Sequence, residues 1–296
     1  MSDGEIHLVE YSDASVAARE PVYGHCRGQG CVAADTDHCL LTHFRPPSNS
    51  RPPLDWPESS RGRPLGGLLG REVDGLFADY AAIDERQLLA VPNHVSSDAL
   101  GVVQVLGTCV HAVSKAPVSP GDTAVVLGLG VSGQLIAQLL AAQGAHVIGV
   151  TRSEWKRELV LQHGAAAAVT PEQAAEVVAE LTEGRGPEAV FEAVGTVQTF
   201  SQAIELAGPA ATVVFFGTTT GMESGLPYYQ LYYKELSLRN PRGATMADYE
   251  KAIALVADGV INGVPLISSR FGLDEIDEAL AATRDSSTLK VLMEVE

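Results

Sequence analysis

The chain has 296 residues and carries 20 lysines and arginines against 37 aspartates and glutamates, a formal net charge of -17. That balance repels nucleic acid and anionic lipid over most of the surface, and no run reaches the roughly 18 apolar residues that a membrane span needs. The length fits one large domain or two modest ones with ample core, and four cysteines without a disulfide-like framework point to a reducing compartment, so a cytoplasmic protein is expected. The first residues, MSDGEIHLVE, are acidic rather than basic and apolar, which speaks against a signal peptide.

In chain order, the stretch from Arg45 to Arg63, RPPSNSRPPLDWPESSRGR, is crowded with proline, serine and arginine. It cannot be a central strand or a regular helix, and it reads as a loop or a trimmed lobe. From Leu76 the pattern becomes strand-like, FADYAAI and then LLAVP, and an apolar helical pattern runs from Ser96 to His111.

The most informative segment follows, TAVVLGLGVSGQLIAQLLAAQGAHVIGVTRS, residues Thr123 to Ser153. Val125 to Leu127 form a buried strand, and Gly128, Gly130 and Gly133 make GxGxxG. The first glycine serves a tight turn, the second lets backbone approach a pyrophosphate, and the third allows close helix packing. Val131 and Ser132 open the helix, whose unpaired N–H groups and positive dipole end favour an anion. Ile136, Leu139 and Leu140 recur at helical spacing, Gly144 is a natural stop, and Val147 to Val150 supply the next strand.

A carboxylate at the end of that second strand would accept from the ribose 2′-hydroxyl and repel a 2′-phosphate. Here the strand ends in Thr151, Arg152 and Ser153, with Lys156 and Arg157 one turn on. Hydroxyls and cations suit a phosphate better than a bare ribose, so NADPH is expected over NADH. Ser153 also reads as the N-cap of a helix Glu154 to Gln162. Thr170, Pro171 and Gln173 combine an N-cap, a proline at the first turn and a capping-box glutamine before a helix Ala174 to Leu181. Strands are expected at Ala189 to Glu192 and Thr212 to Phe216, the second followed by Gly217. Alternating strand and helix argue for a parallel sheet covered on both faces. The tyrosine-rich LPYYQLYYKELSLRNPRG belongs either to the core or to a sheet edge or subunit interface. Helices near Met246 to Ala257 and Asp274 to Thr283 and a strand Lys290 to Val295 complete the chain. No Ser/His/Asp triad context or P-loop lysine occurs.

DGLFADYAAI, LLAVP, VLGTCVHAV before PGDTAVVLGLGVSG, FEAVG, VVFFG, KELSLRNPRG and SRFGLDEIDEALAA, in this order, resemble the medium-chain dehydrogenase/reductase family, which includes zinc-type alcohol dehydrogenases and sugar or polyol dehydrogenases. The resemblance runs from about Gly66 to the C-terminus. It implies an α/β fold: a Rossmann doubly wound parallel sheet, here residues 113–243, inserted into a truncated GroES-like β domain, residues 1–112, to which 244–296 return. It also implies that coenzyme and substrate meet in the cleft between the domains. Thr108 would lie beside the nicotinamide, and Ala193, Gly195 and Gly217 would join the glycine turn in holding the coenzyme.

The family's zinc ligands, by contrast, are largely missing. Met1, Ser2 and Asp3 stand where a CGTD-like motif would be, only His25 survives from a GHE-like pattern at Gly24, His25 and Cys26, and Gln104 replaces the ligand before the coenzyme domain. An uncharged amide is a poor zinc ligand. The lobe cysteines are absent too, with Ser48 and Ser50 in the corresponding stretch. Cys26, Cys31, Cys39, His25, His38 and His43 concentrate metal-capable side chains, but their spacing matches neither a CxxC knuckle nor the family's lobe. The block therefore reads more simply as a rebuilt edge with buried cysteines, and no zinc is expected.

Without a metal, candidate acids or hydrogen-bond donors are His25, Cys26, Tyr80 and Gln104 in that order, alongside Thr108. Structural roles for His25 and Tyr80 stay open beside this. Three readings remain: a zinc-independent NADPH oxidoreductase acting on a small carbonyl, alcohol or activated alkene, in specialised metabolism; a cyclase or lyase that retains the nucleotide; and a silent NADPH-binding protein. The first is preferred, as a homodimer of the family's kind with a small-molecule substrate.

Overall fold

The computed structural model describes the backbone of residues 6–10, 31–34, 37–41 and 80–84, and residues 88–218 and 226–294. By its contacts the chain divides into two compact units, residues 1–107 with 244–296, and residues 108–243.

In the first unit, β1 (Ile6–Glu10) runs antiparallel to β4 (Tyr80–Asp84). β2 (Cys31–Ala34), β3 (Asp37–Leu41) and β5 (Leu88–Val91) form a second antiparallel sheet in that order. Cys31 is paired with Leu40, Cys39 with Val32, and His38 with Ala33 and Val91. The proline-rich stretch lies outside the described residues.

The single helix expected over Ser96–His111 is two, α1 (Ser97–Leu100) and α2 (Val103–Val113). Ser96 caps the first by accepting from the Ala99 N–H at 3.2 Å. Gly101 ends it, and a methyl there would sit 3.1 Å from both the Asp98 carbonyl and Leu292. Gly107 lets the ring of the fully buried Tyr249 lie against α2, where any Cβ would overlap it.

The second unit is one six-stranded parallel sheet in the order β11-β10-β9-β6-β7-β8. The chain enters at β6 (Thr123–Leu127), passes through α3 (Val131–Ala142) to β7 (His146–Val150), and through α4 (Glu154–Gln162) to β8 (Ala167–Val169). It then crosses back through α5 (Ala174–Leu181) to β9 (Ala189–Glu192), on the other side of β6, and continues through α6 (Val197–Leu206), β10 (Thr212–Phe215) and α7 (Tyr228–Tyr233) to β11 (Ser237–Arg239). All five β6 residues are buried. Strands covered on both faces read as continuous apolar runs, which is why TAVVL and HVIGV stand out as strands. The β6/β9 boundary, where the winding reverses, is the switch point at which such sheets take ligands beyond their carboxyl ends.

Local departures from expectation have identifiable causes. α5 has its expected bounds, but Thr170 and Pro171 stand outside it rather than serving as its cap and first turn, since residues 171–173 form a turn in which the Gln173 side chain accepts from the Thr170 N–H at 3.2 Å. The tyrosine segment is not core: Tyr228, Tyr229, Tyr232 and Tyr233 are 69–80% exposed on α7, and the strand after them closes one sheet edge. Lys234 ends this helix by donating to the Ile204, Glu205 and Ala207 carbonyls at 3.3, 2.8 and 2.9 Å, which neutralises the negative end of α6.

The chain returns to the first unit with α8 (Met246–Ala257), β12 (Ile267–Gly272), α9 (Ile276–Ala282) and β13 (Lys290–Glu294). Residues 273–275 form a 3₁₀ turn, so the helix expected from Asp274 begins as α9 at Ile276. β12 and β13 pair in parallel, and Arg270 bonds Asp98 at 2.6 Å. Among the described residues no helix is long and apolar enough to cross a membrane.

The glycine turn depends on one close approach. Gly128 takes φ +89°, which brings its carbonyl onto the helix at Gly133, where a Cβ would overlap the oxygen. Gly130 has an ordinary φ of -70°, and a methyl projecting from it would meet nothing within 4 Å. Gly133→Ala is therefore expected to cost about 1–3 kcal/mol or more, while Gly130→Ala stays within about 0.5 kcal/mol of the parent. Urea unfolding of the two variants checks this, and equal losses would contradict the assigned roles.

Candidate dinucleotide-binding site

Beyond the carboxyl ends of β6, β7 and β9 lies a cavity of about 590 Å³. Its floor is Gly128, Leu129 and Gly130, one wall is Val150, Thr151, Arg152 and Lys156, and the opposite wall is built from residues 193–202. Gly130 is the N-cap of α3 and brings no side chain to its first turn. The N–H groups of Val131, Ser132 and Gly133 precede the first residue that can bond within the helix, Gln134, whose N–H reaches the Gly130 carbonyl at 2.9 Å. An uncapped helix start facing an open, methyl-free space fits a pyrophosphate.

The wall at β7 carries the charge. Arg152 is exposed and lines the cavity. Lys156 lines it as well, with its ammonium 5.1 Å from the centre of the Trp155 ring, and partial burial pulls its pKa below the ordinary lysine value. A partly dehydrated cation loses less water on meeting an anion. The Lys156 carbonyl accepts from the buried Gln134 side chain at 2.9 Å, which ties α4 to α3.

Arg157 does not join this group. Its guanidinium donates to the Thr151 and Arg152 carbonyls, both at 2.9 Å, so it braces the loop that presents Arg152. Ser153 precedes α4 as expected, but its side chain makes no capping bond and it is not part of the cavity lining.

One carboxylate shares the lining, that of Glu172. Its own backbone N–H and the Thr170 hydroxyl, followed by the nearby Arg152 guanidinium, hold its carboxyl below the usual glutamate range.

The far wall is organised by a residue that sequence reasoning passes over. Glu192, fully buried at the end of β9, accepts through Oε1 from the Val194 and Gly195 N–H groups at 2.9 and 2.8 Å and from the Thr199 hydroxyl at 2.7 Å. Oε2 has no hydrogen-bond partner and faces Gly217, where a Cβ would lie 2.6 Å from it. Ala193 lines the cavity, whereas Gly195 and Gly217 stand behind the wall, Gly217 leaving room for the Gly195 backbone and Gly195 for that of Thr218. The available signal is a carboxylate ending the otherwise apolar strand AVFE.

Of the expected catalytic residues, only Gln104 and Thr108 are described with their side chains. His25 and Cys26 lie outside the described residues, and Tyr80 is placed only as a backbone position in β4. Gln104 is buried and Thr108 half-buried, both on α2. Cys109, next in line, is silent as a nucleophile: its thiol donates to the Ser132 carbonyl at 3.6 Å, and burial pushes its pKa up to about 12.

The family model described as zinc-binding dehydrogenase matches residues 131–258. Sorbitol dehydrogenase of Halalkalibacterium halodurans is 28% identical over 229 residues, which cover 76% of this chain and 67% of that protein. D-Arabitol-phosphate dehydrogenase of Enterococcus avium is 27% identical over 231 residues, covering 76% of this chain and 66% of its own. The chain thus spans about two thirds of the length of these curated relatives. A protein named a zinc-binding dehydrogenase, from Sinorhizobium meliloti 1021 and solved with NADP bound, superposes with a TM-score of 0.76 at 28% identity over 90% of this chain and 81% of that one. With its doubly wound sheet and glycine turn at the switch point, the chain is thus similar in sequence and fold to the medium-chain dehydrogenase/reductase family, the oxidoreductases related to zinc-type alcohol dehydrogenases.

Proposed function

We propose that the protein is an NADP(H)-dependent, zinc-independent oxidoreductase acting on a small-molecule carbonyl or alcohol, or on an activated alkene. The observation that carries this reading is the pair Arg152 and Lys156, lining the cavity at the position where an NAD-binding site would present a carboxylate. The NADP-bound relative from Sinorhizobium meliloti supports it. The polyol dehydrogenases among the relatives make polyols and their ketones the first substrates to try.

When bound, the coenzyme supplies or accepts the hydride. The protein's part begins with position: the first turn of α3 receives the pyrophosphate, Arg152 and Lys156 receive the 2′-phosphate, and Glu192 fixes the wall through Val194, Gly195 and Thr199. Thr108 stands beside the nicotinamide in this reading. His25, Cys26 and Tyr80 are the groups assigned to proton transfer or hydrogen bonding at the substrate oxygen. Gln104 can donate a hydrogen bond but no proton, and its neutral amide does not fit a zinc site. The grouping of residues 1–107 with 244–296 supports a catalytic domain interrupted by the coenzyme domain. The exposed tyrosines of α7, beside the edge strand β11, support a homodimer through that edge.

Replacing Arg152 with Ala should weaken NADPH by about 1.5–3 kcal/mol, the worth of a lost charge-assisted bond, and leave NADH nearly untouched. Fluorescence titration with both coenzymes reads this directly, and equal losses would remove Arg152 from the phosphate site. Metal analysis after dialysis should find substoichiometric zinc. One tightly held zinc per chain would overturn the metal-free reading.

A further inference from the structure

The cavity that holds two cations also holds an acid, and that acid cannot easily move aside. Glu172 follows the turn at Thr170 and Pro171, and its carboxylate is tied to its own backbone N–H and the Thr170 hydroxyl. The turn is itself anchored, since the Pro171 carbonyl accepts from the Gln202 side chain at 3.0 Å and the Thr170 N–H is held by Gln173 at 3.2 Å. Arg152 lines the same cavity from the end of β7 and is exposed.

We propose that Glu172 sets coenzyme discrimination by competing with the 2′-phosphate for Arg152, so that the site admits NADH and favours NADPH only modestly. This rests on the reading of the cavity as an NADP(H) site. With the phosphorylated coenzyme, Arg152 must turn to the phosphate and away from the field of the carboxylate across the same cavity, and that tethered carboxylate then remains close to a phosphate of like charge. With the unphosphorylated coenzyme neither cost arises, and the attraction between Arg152 and Glu172 is kept. A sequence rule based only on the residue ending the second strand sees Arg152 and assigns NADPH. The acid that moderates it comes from the following strand–helix connection, some twenty residues later in the chain.

The experiment measures Kd for NADPH and NADH in the parent, Glu172→Gln, Arg152→Ala and the double variant. Glutamine keeps the shape and can still accept from the turn, and the position is at the surface, so folding is not at stake. The expected result is NADPH binding about three- to fivefold tighter in Glu172→Gln at low ionic strength, with NADH changed less than about twofold. The gain should fade in about 1 M salt, where screening acts within about 3 Å. It should also shrink to within about twofold in the Arg152→Ala background, because the two residues act as a pair.

An unchanged NADPH affinity in Glu172→Gln, an equal gain for both coenzymes, or a gain that survives undiminished without Arg152 would each overturn the proposal while leaving the coenzyme site standing. A parent protein that fails to bind NADPH, or whose NADPH affinity ignores Arg152→Ala, would overturn the site reading and this proposal with it.

Discussion

The contact between the Gly128 carbonyl and the helix backbone at Gly133 governs how the rest of the coenzyme domain is used. It brings the start of α3 directly over the end of β6, closer than any side chain would permit. Because Gly130 adds no side chain, the unpaired N–H groups of that helix face open space rather than a cap. The cavity, its polarity toward anions and its position at the β6/β9 switch point all follow from this one approach. The other walls are fitted around it: Gln134 ties α3 to α4 beneath Lys156, and Glu192 gathers the backbone of 194 and 195 on the opposite side.

Charge at the rim then decides which anion is welcome. In a protein with 17 more acidic than basic groups, the long-range field disfavours any phosphate, so recognition falls to local cations at short distance. In the proposed coenzyme site Arg152 and Lys156 supply them, and Arg157 contributes indirectly by holding the two carbonyls of the loop. Three basic residues that look equivalent in the sequence thus have different work, because an arginine at the base of a loop satisfies backbone oxygens before it can reach a ligand.

The coenzyme domain is legible in the sequence for a physical reason. Its central strands β6, β7, β9 and β10 are largely buried and appear as short apolar runs, and its α3 pattern follows helical spacing. The expected bounds of β9 and α8 match the observed ones to the residue. What escapes are features set by tertiary geometry: the turn at 171–173, the absence of a Ser153 cap bond, and the burial of Glu192. None of these leaves a periodic trace. The four tyrosines show the same limit, since aromatic residues suit a core and an interface equally and only the structure puts them outside. In the N-terminal region, prolines and serines between Arg45 and Arg63 erase periodicity, and the expected catalytic positions His25 and Cys26 fall outside the described residues.

The central claim is that the adenosine end of the coenzyme is recognised through its 2′-phosphate at the end of β7. Isothermal titration of the intact protein with adenosine bearing both 2′- and 5′-phosphates, against adenosine 5′-diphosphate, isolates that end from the nicotinamide and from catalysis. The account predicts saturable one-site binding with the 2′-phosphorylated ligand the tighter. Equal affinity for the two, or no heat with either on folded protein, would contradict it.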